Sequence, residues 1–247
     1  MIPKVIHYCW FGGNPIPTEM KKCIKSWEKM CPDYEIKRWD ESNFDINEHP
    51  FVKTAYDAKA WAFVSDYVRL KVIFDYGGIY LDTDVELLKS LDSLLDYKCY
   101  VGIQQSEHLC NTGLGFGAEK SNQIVQQMLK QYDGLTFSVK NKTKIACPYL
   151  NHKVICQLGY SYVENPVVIK DVMILSPKYL DPYAPGKDQK NLKCNDTISI
   201  HHYSASWMDK KTIFRRKIIQ IIGPEAIDII KRYKRKILHM IERYVGC

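Results

Sequence analysis

The chain has 247 residues, 46% hydrophobic and 26% charged, with a formal net charge of +7. That length and composition are enough to bury a full core and exclude a disordered or fibrous chain, so one soluble globular domain with an appendage is expected. The charge is localised: residues 208–247 hold eleven Lys and Arg against four acids, while residues 1–207 carry 24 of each sign. A balanced body argues against a nucleic-acid-binding protein, which needs an extended cationic footprint for phosphates.

Met1 to Tyr8 runs directly into strand-like sequence, and no apolar stretch approaches the roughly 18 to 20 residues of a membrane span, so neither a leader nor a span is expected. The nine cysteines are scattered without a C-x-x-C pair and read as reduced, buried thiols of a cytosolic protein.

In chain order, Lys4 to Tyr8 predicts a first strand and Trp10-Phe11-Gly12-Gly13-Asn14-Pro15 the loop leaving it. Trp10 either stacks on a flat base or covers a tight turn. Thr18 to Met30 predicts an amphipathic helix capped by Thr18, and Tyr34 to Trp39 a second strand. Asp40 to Pro50 reads as a polar connection into a helix carrying Trp61, Val64, Val68 and Val72 at helical spacing. Asp66 and Arg69 share one face of that helix, placed for an ion pair or for joint work on a ligand. Gly77-Gly78 ends the helix, and Ile79-Tyr80-Leu81 begins a strand that runs into Asp82-Thr83-Asp84. Two carboxylates at a strand's carboxyl end suit a hard divalent cation.

Val85 to Leu95 predicts a loop with a short helix, and Cys99 to Ile103 a strand. Asn111 to Ala118 is glycine-punctuated and strand-like, suggesting backbone close to a ligand, and lacks the dinucleotide-binding spacing. Helices follow at Ser121 to Tyr132 and Pro148 to Leu158, and short strands at Val167 to Ile169 and Val172 to Leu175. Thr197 to His201 predicts a last strand that delivers His201, His202, Tyr203, Ser206 and Trp207 together. A histidine there is either a satisfied core residue or a ligand that joins the two aspartates in a mixed oxygen and nitrogen set suited to manganese or magnesium.

Four segments, IPKVIHYCWFGG, FVSDYVRLKVIFDYGGIYLDTDV, NTGLGFGAE and SIHHYSASW, resemble in this order the D-x-D sugar transferases of glycosyltransferase family 32. The resemblance implies an α/β GT-A fold over residues 1–207, a nucleotide-sugar donor (a UDP-sugar), Mn2+ or Mg2+, and retention of anomeric configuration by front-face attack. It implies a glycan or lipid-linked acceptor in capsular polysaccharide or lipopolysaccharide synthesis. Trp10 is then the base-stacking residue, and Asp66 and Arg69 the grip on ribose and donor sugar. Asp82 and Asp84 form the D-x-D, with Asp84 the direct metal ligand. Asn111 faces the sugar, and Ser206 and Trp207 belong to the closing segment. His202 is taken as the third metal ligand, although strand register decides between it and His201.

In residues 208–247, apolar positions from Ile213 to Tyr244 recur at helical spacing among crowded cations, with Gly223-Pro224 dividing two helices. Such basic amphipathic helices either lie on an anionic membrane surface or pack on the catalytic domain. The expected location is therefore cytoplasmic, peripheral to the inner face of the membrane. The rivals in other classes are a nucleic-acid-binding protein, which leaves the aspartates idle, and a metal-dependent phosphohydrolase, for which one metal site is thin.

Overall fold

The structure, a computed structural model, describes residues 1–184 and 190–204. Seven strands form one mixed sheet: β1 (Val5–Cys9), β2 (Glu35–Trp39), β3 (Gly78–Tyr80), β5 (Cys99–Gly102), β6 (Phe116–Ala118), β7 (Val167–Ile169) and β8 (Val172–Leu175), in the spatial order β2-β1-β3-β6-β5-β8-β7. β1 pairs in parallel with both β2 and β3, β6 runs antiparallel between β3 and β5, and β8 is parallel to β5. This alternation gathers one edge. The carboxyl ends of β1, β3, β5 and β8 and the amino end of β6 all open on the same side, where an open α/β sheet collects ligands.

Both faces of the sheet are covered. Along β3, Ile79 enters one apolar cluster and Tyr80 the other, as the two-residue strand period requires. The Tyr80 side is packed by α2 (Pro50–Asp57), α3 (Trp61–Tyr76), α4 (Gln123–Lys130) and α5 (Cys147–Gln157), and the Ile79 side by α1 (Thr18–Met30) and the segment from Val85 to Leu95. Within α1, Met20, Cys23 and Trp27 make the buried stripe. The Trp27 indole N–H donates to the Val85 carbonyl at 2.7 Å, which fixes the chain just after the two aspartates.

Several local expectations need correction. α1 begins at Thr18 itself with Pro17 in the capping position and no side-chain cap, and α4 starts at Gln123 instead of Ser121, capped by Asn122, whose Oδ1 accepts from the Ile124 N–H. The connection after Asp40 contains an unforeseen helix, α2, started by Pro50 at its first position and capped by His49 Nδ1. Only Phe116–Ala118 of the glycine-rich stretch is strand, and Asn111 to Gly115 is loop. After Asp84, β4 (Val85–Leu87) pairs antiparallel with β9 (Ser199–His201) in a separate two-stranded sheet. A short helix, α6 (Pro177–Leu180), follows β8.

The Gly77-Gly78 turn has a specific cause. Both residues take positive φ, 70° and 105°, and a Cβ on Gly78 would sit 2.7 Å from the Val5 carbonyl oxygen and 2.9 Å from His7 Nε2. His7 is buried, with Nε2 3.0 Å from the Gly77 carbonyl and Nδ1 3.0 Å from the Trp39 indole nitrogen. An indole N–H only donates, so Nδ1 accepts and Nε2 carries the proton given to Gly77. A neutral histidine thus pins the end of α3 to β1.

Residues Met1–Tyr203 cluster as one compact unit. Ser206, Trp207 and the basic stretch 208–247 lie outside the described residues. Among the described residues no helix is long and apolar enough to cross a membrane. Their eight cysteines are free thiols, six buried, whereas Cys156 and Cys194 are exposed, against the expectation of burial.

Candidate active site

Leaving β3, the chain presents Asp82, Thr83 and Asp84 at the gathered edge, with Thr83 and Asp84 buried. Antiparallel pairing of β4 with β9 sets Val85 opposite His201, so the strand carrying the histidine returns directly beside the aspartates. His201 Nε2 lies 3.2 Å from Asp84 Oδ1 and 3.8 Å from Asp82 Oδ2. One ligand atom from each of Asp82, Asp84 and His201 falls within 4.8 Å of the others. Two carboxylate oxygens and an imidazole nitrogen on rigid strand ends match the donor set of a divalent cation such as manganese or magnesium. Burial pulls the His201 imidazole down, but the charges of Asp84 and Asp82 outweigh it and raise its pKa to about 10.

His202 does not take the expected position at the metal. Adjacent strand residues point to opposite faces, and once His201 faces Asp84 the His202 side chain turns outward, where its Nε2 meets Glu86 Oε2 at 2.9 Å. Its backbone N–H still serves the site by donating to the Asp84 carbonyl at 3.0 Å.

Asp66 and Arg69 project from α3 beneath the same edge. Arg69 Nη2 lies 3.1 Å from Asp66 Oδ1 and 3.1 Å from Asp82 Oδ1, its Nε donates to the Ser65 carbonyl, and its guanidinium carbon lies 4.9 Å from the centroid of the Tyr80 ring. Tyr80 itself donates its hydroxyl to Asp82 Oδ1 at 2.9 Å. The arginine therefore spends its strongest contacts on protein carboxylates and holds Asp82 in place. Burial pushes the Asp66 carboxyl up to about 6, against the pull of Arg69, with Asp82 adding to the rise. The backbone N–H of Cys147, the first residue of α5, also reaches the Asp66 carboxylate.

Asn111 lies at the gathered edge, in the loop before β6, with its side chain committed to the loop: its amide donates to Gln104 Oε1 at 2.9 Å and its oxygen accepts the Gly113 N–H at 2.8 Å. That turn presses Gly113 against the site. A Cβ there would collide with Asp82 Oδ2 and come within 2.9 Å of Arg69 Nη1. Tyr80 and Cys147 were not picked out from sequence, and Gly113 only as one of the three glycines in a stretch expected to bring backbone close to a ligand.

Residues 17–101 match the family model described as a glycosyltransferase sugar-binding region containing a DXD motif. That segment, which carries Asp66, Arg69, Asp82 and Asp84, is similar to the sugar-binding region of D-x-D glycosyltransferases. Inositol phosphoceramide mannosyltransferase 3 of Schizosaccharomyces pombe is 34% identical to this chain over 141 residues, covering 56% of the chain and 39% of the relative. The chain thus spans about two fifths of that relative's length. The uncharacterized glycosyltransferase L373 of Acanthamoeba polyphaga mimivirus is 25% identical over 216 residues, 84% of each. Among solved structures, the PaToxG glycosyltransferase aligns with a TM-score of 0.50 at 21% identity, covering 63% of this chain and 68% of that one, and the fold is GT-A.

Trp10 leaves β1 at the same edge from which Asp82 leaves β3. It is half-buried, and its indole N–H donates to the Asn14 carbonyl at 2.6 Å. The loop below it is tied by the Gly12 N–H to Glu41 Oε1 at 2.6 Å, and the Trp61 ring packs over Gly12 so closely that a Cβ would lie 2.6 Å from it. Trp10 is thereby fixed in a preformed loop.

Proposed function

We propose that the protein transfers a hexose from a nucleotide-sugar donor to a glycan or lipid-linked acceptor in a metal-dependent reaction that retains anomeric configuration. The observation that carries this is the convergence of Asp82, Asp84 and His201 at the sheet edge shared with Trp10.

In this reading Asp84, Asp82 and His201 hold the divalent cation, which when bound neutralises the charge of the nucleoside diphosphate leaving group. Arg69 fixes Asp82 and Asp66, so both carboxylates are set before the donor arrives. Trp10 offers a ring to the nucleobase, and the loop 111–113 closes the sugar end, with Asn111 shaping that loop. Since Arg69 binds both Asp66 and Asp82, neither carboxylate is placed as a free nucleophile. The acceptor hydroxyl then attacks the anomeric carbon on the face the diphosphate leaves, and its proton passes to the departing diphosphate oxygen.

The name of the yeast relative brings in a mannosyl donor and an inositol-phosphate lipid acceptor, beside the UDP-sugar and surface-polysaccharide reading from the motifs. The cation-rich, apolar-periodic sequence of residues 208–247 would hold the enzyme on an anionic membrane where such an acceptor lies. Release of nucleoside diphosphate from a panel of UDP- and GDP-sugars, with and without Mn2+, tests the function. Metal-dependent turnover of one donor is expected, and no release from any donor at any metal concentration would overturn the reading.

A further inference from the structure

Two polar atoms near the candidate metal centre are buried without a hydrogen-bond partner among the described residues: His201 Nδ1 and Asp181 Oδ1. Each calls for explanation, because a buried polar atom left unpaired costs on the order of 1–3 kcal/mol. They are brought together by the fold. β8 and β9 both lead into this region, since Asp181 ends α6 directly after β8 and His201 ends β9, while the Ile198 N–H donates to the Tyr179 carbonyl at 2.8 Å.

Asp181 is fully buried, and its other oxygen is held twice. Oδ2 accepts the Gln105 N–H at 2.7 Å and the Tyr203 hydroxyl at 2.8 Å. Tyr203 also packs its ring against His201, edge to face, with centroids 4.2 Å apart. The same tyrosine thus touches both groups. Burial raises the Asp181 carboxyl pKa, the Gln105 and Tyr203 hydrogen bonds oppose that rise, and the His201 charge reaches it as well.

A histidine that ligates a metal through Nε2 must carry its proton on Nδ1, and that N–H needs an acceptor that fixes ring orientation and tautomer. The loop after α6 supplies a carboxylate acceptor with spare capacity, Asp181 Oδ1. We propose that Asp181 is the positioning residue of the metal centre, the acceptor that takes the His201 Nδ1–H when a metal replaces the Nε2 proton beside Asp84 and Asp82. The inference rests on the metal site of the proposed function and adds a residue that the D-x-D motif does not include. Gln105 and Tyr203 complete the device by leaving Asp181 only one free oxygen.

Asp181→Asn tests it. The asparagine keeps the size, and its carbonyl oxygen takes the Gln105 and Tyr203 hydrogen bonds, so its NH2 must face the His201 side. That presents a donor where an acceptor is needed and favours the tautomer with the proton on Nε2. Mn2+ affinity of the full chain without donor, measured by titration calorimetry, is expected to fall roughly 10- to 100-fold, with the melting temperature held near wild type. Asp181→Glu, which restores an acceptor, is expected to recover part of the loss. Tyr203→Phe, which frees the second oxygen, is expected to weaken binding less than Asp181→Asn. Unchanged Mn2+ affinity in folded Asp181→Asn, beside a wild type that binds, overturns the positioning role alone. A wild type that binds no Mn2+ overturns the metal site and this inference with it.

Discussion

Arg69 Nη2 stands 3.1 Å from Asp82 Oδ1, so the first carboxylate of the D-x-D is held from the helix that precedes its strand. The same nitrogen serves Asp66, and both Asp66 and Arg69 are buried. Removing one member of a buried ion pair costs about 3–5 kcal/mol, because the partner charge is left uncompensated. Arg69→Met is therefore expected to lose that much stability in urea unfolding. Adding Asp66→Asn to Arg69→Met should return part of it, since the stranded charge is removed, and strictly additive losses would contradict the coupling.

Gly113→Ala tests close approach without replacing any charged group. The added methyl meets Asp82 Oδ2 and Arg69 Nη1, and neither can retreat without breaking the pair between them. Overpacking of this kind costs about 1–3 kcal/mol. The expected outcome is a folded protein whose Mn2+ affinity falls about tenfold or more, read by calorimetry beside circular dichroism.

His7 predicts acid sensitivity away from the site. Burial lowers its pKa to about 4, against the opposing hydrogen bond to Gly77. Between the unfolded value of about 6.5 and the folded value, the unfolded chain binds a proton that the folded chain refuses, so stability falls as pH falls through that window. The full effect is about 3 kcal/mol. Protonation would also set an Nδ1–H against the Trp39 indole N–H. Urea midpoints at pH 7 and pH 4.5 should differ less in His7→Gln than in wild type, and an equal difference would dismiss the role of His7.

The metal and a proton compete at His201. Its pKa of about 10 in the metal-free protein, set by Asp84 and Asp82 against burial, makes it an imidazolium at neutral pH. Mn2+ binding should then release about one proton, with affinity rising roughly tenfold per pH unit below that value. Calorimetry in buffers of different ionisation heat measures the release. His201→Ala should abolish both release and tight binding, while His202→Ala, whose side chain faces Glu86, should leave them intact.

Much of this arrangement is legible in the residues themselves. Gly77-Gly78 before Ile79-Tyr80 marks the helix end and the strand, and Asp82 and Asp84 follow at the carboxyl end where the sheet places ligands. The choice between His201 and His202 is not legible, because it depends on one residue of register fixed only when Val85 pairs with His201. α2 was hidden because Pro50 and His49, which start it, also read as loop residues. Asp181 had no signal at all: a lone acid after Tyr179-Leu180 becomes notable only when Gln105, Tyr203 and His201 arrive from distant parts of the chain.

The most direct test of the account is metal-dependent release of nucleoside diphosphate from the preferred donor by wild type and Asp84→Asn. The substitution keeps size and removes one charge from the cation's ligand set. The account predicts loss of release by roughly a hundredfold or more in a variant with an unchanged melting temperature, on the scale of losing a preorganised charge-stabilising group. Wild-type turnover in Asp84→Asn would contradict it.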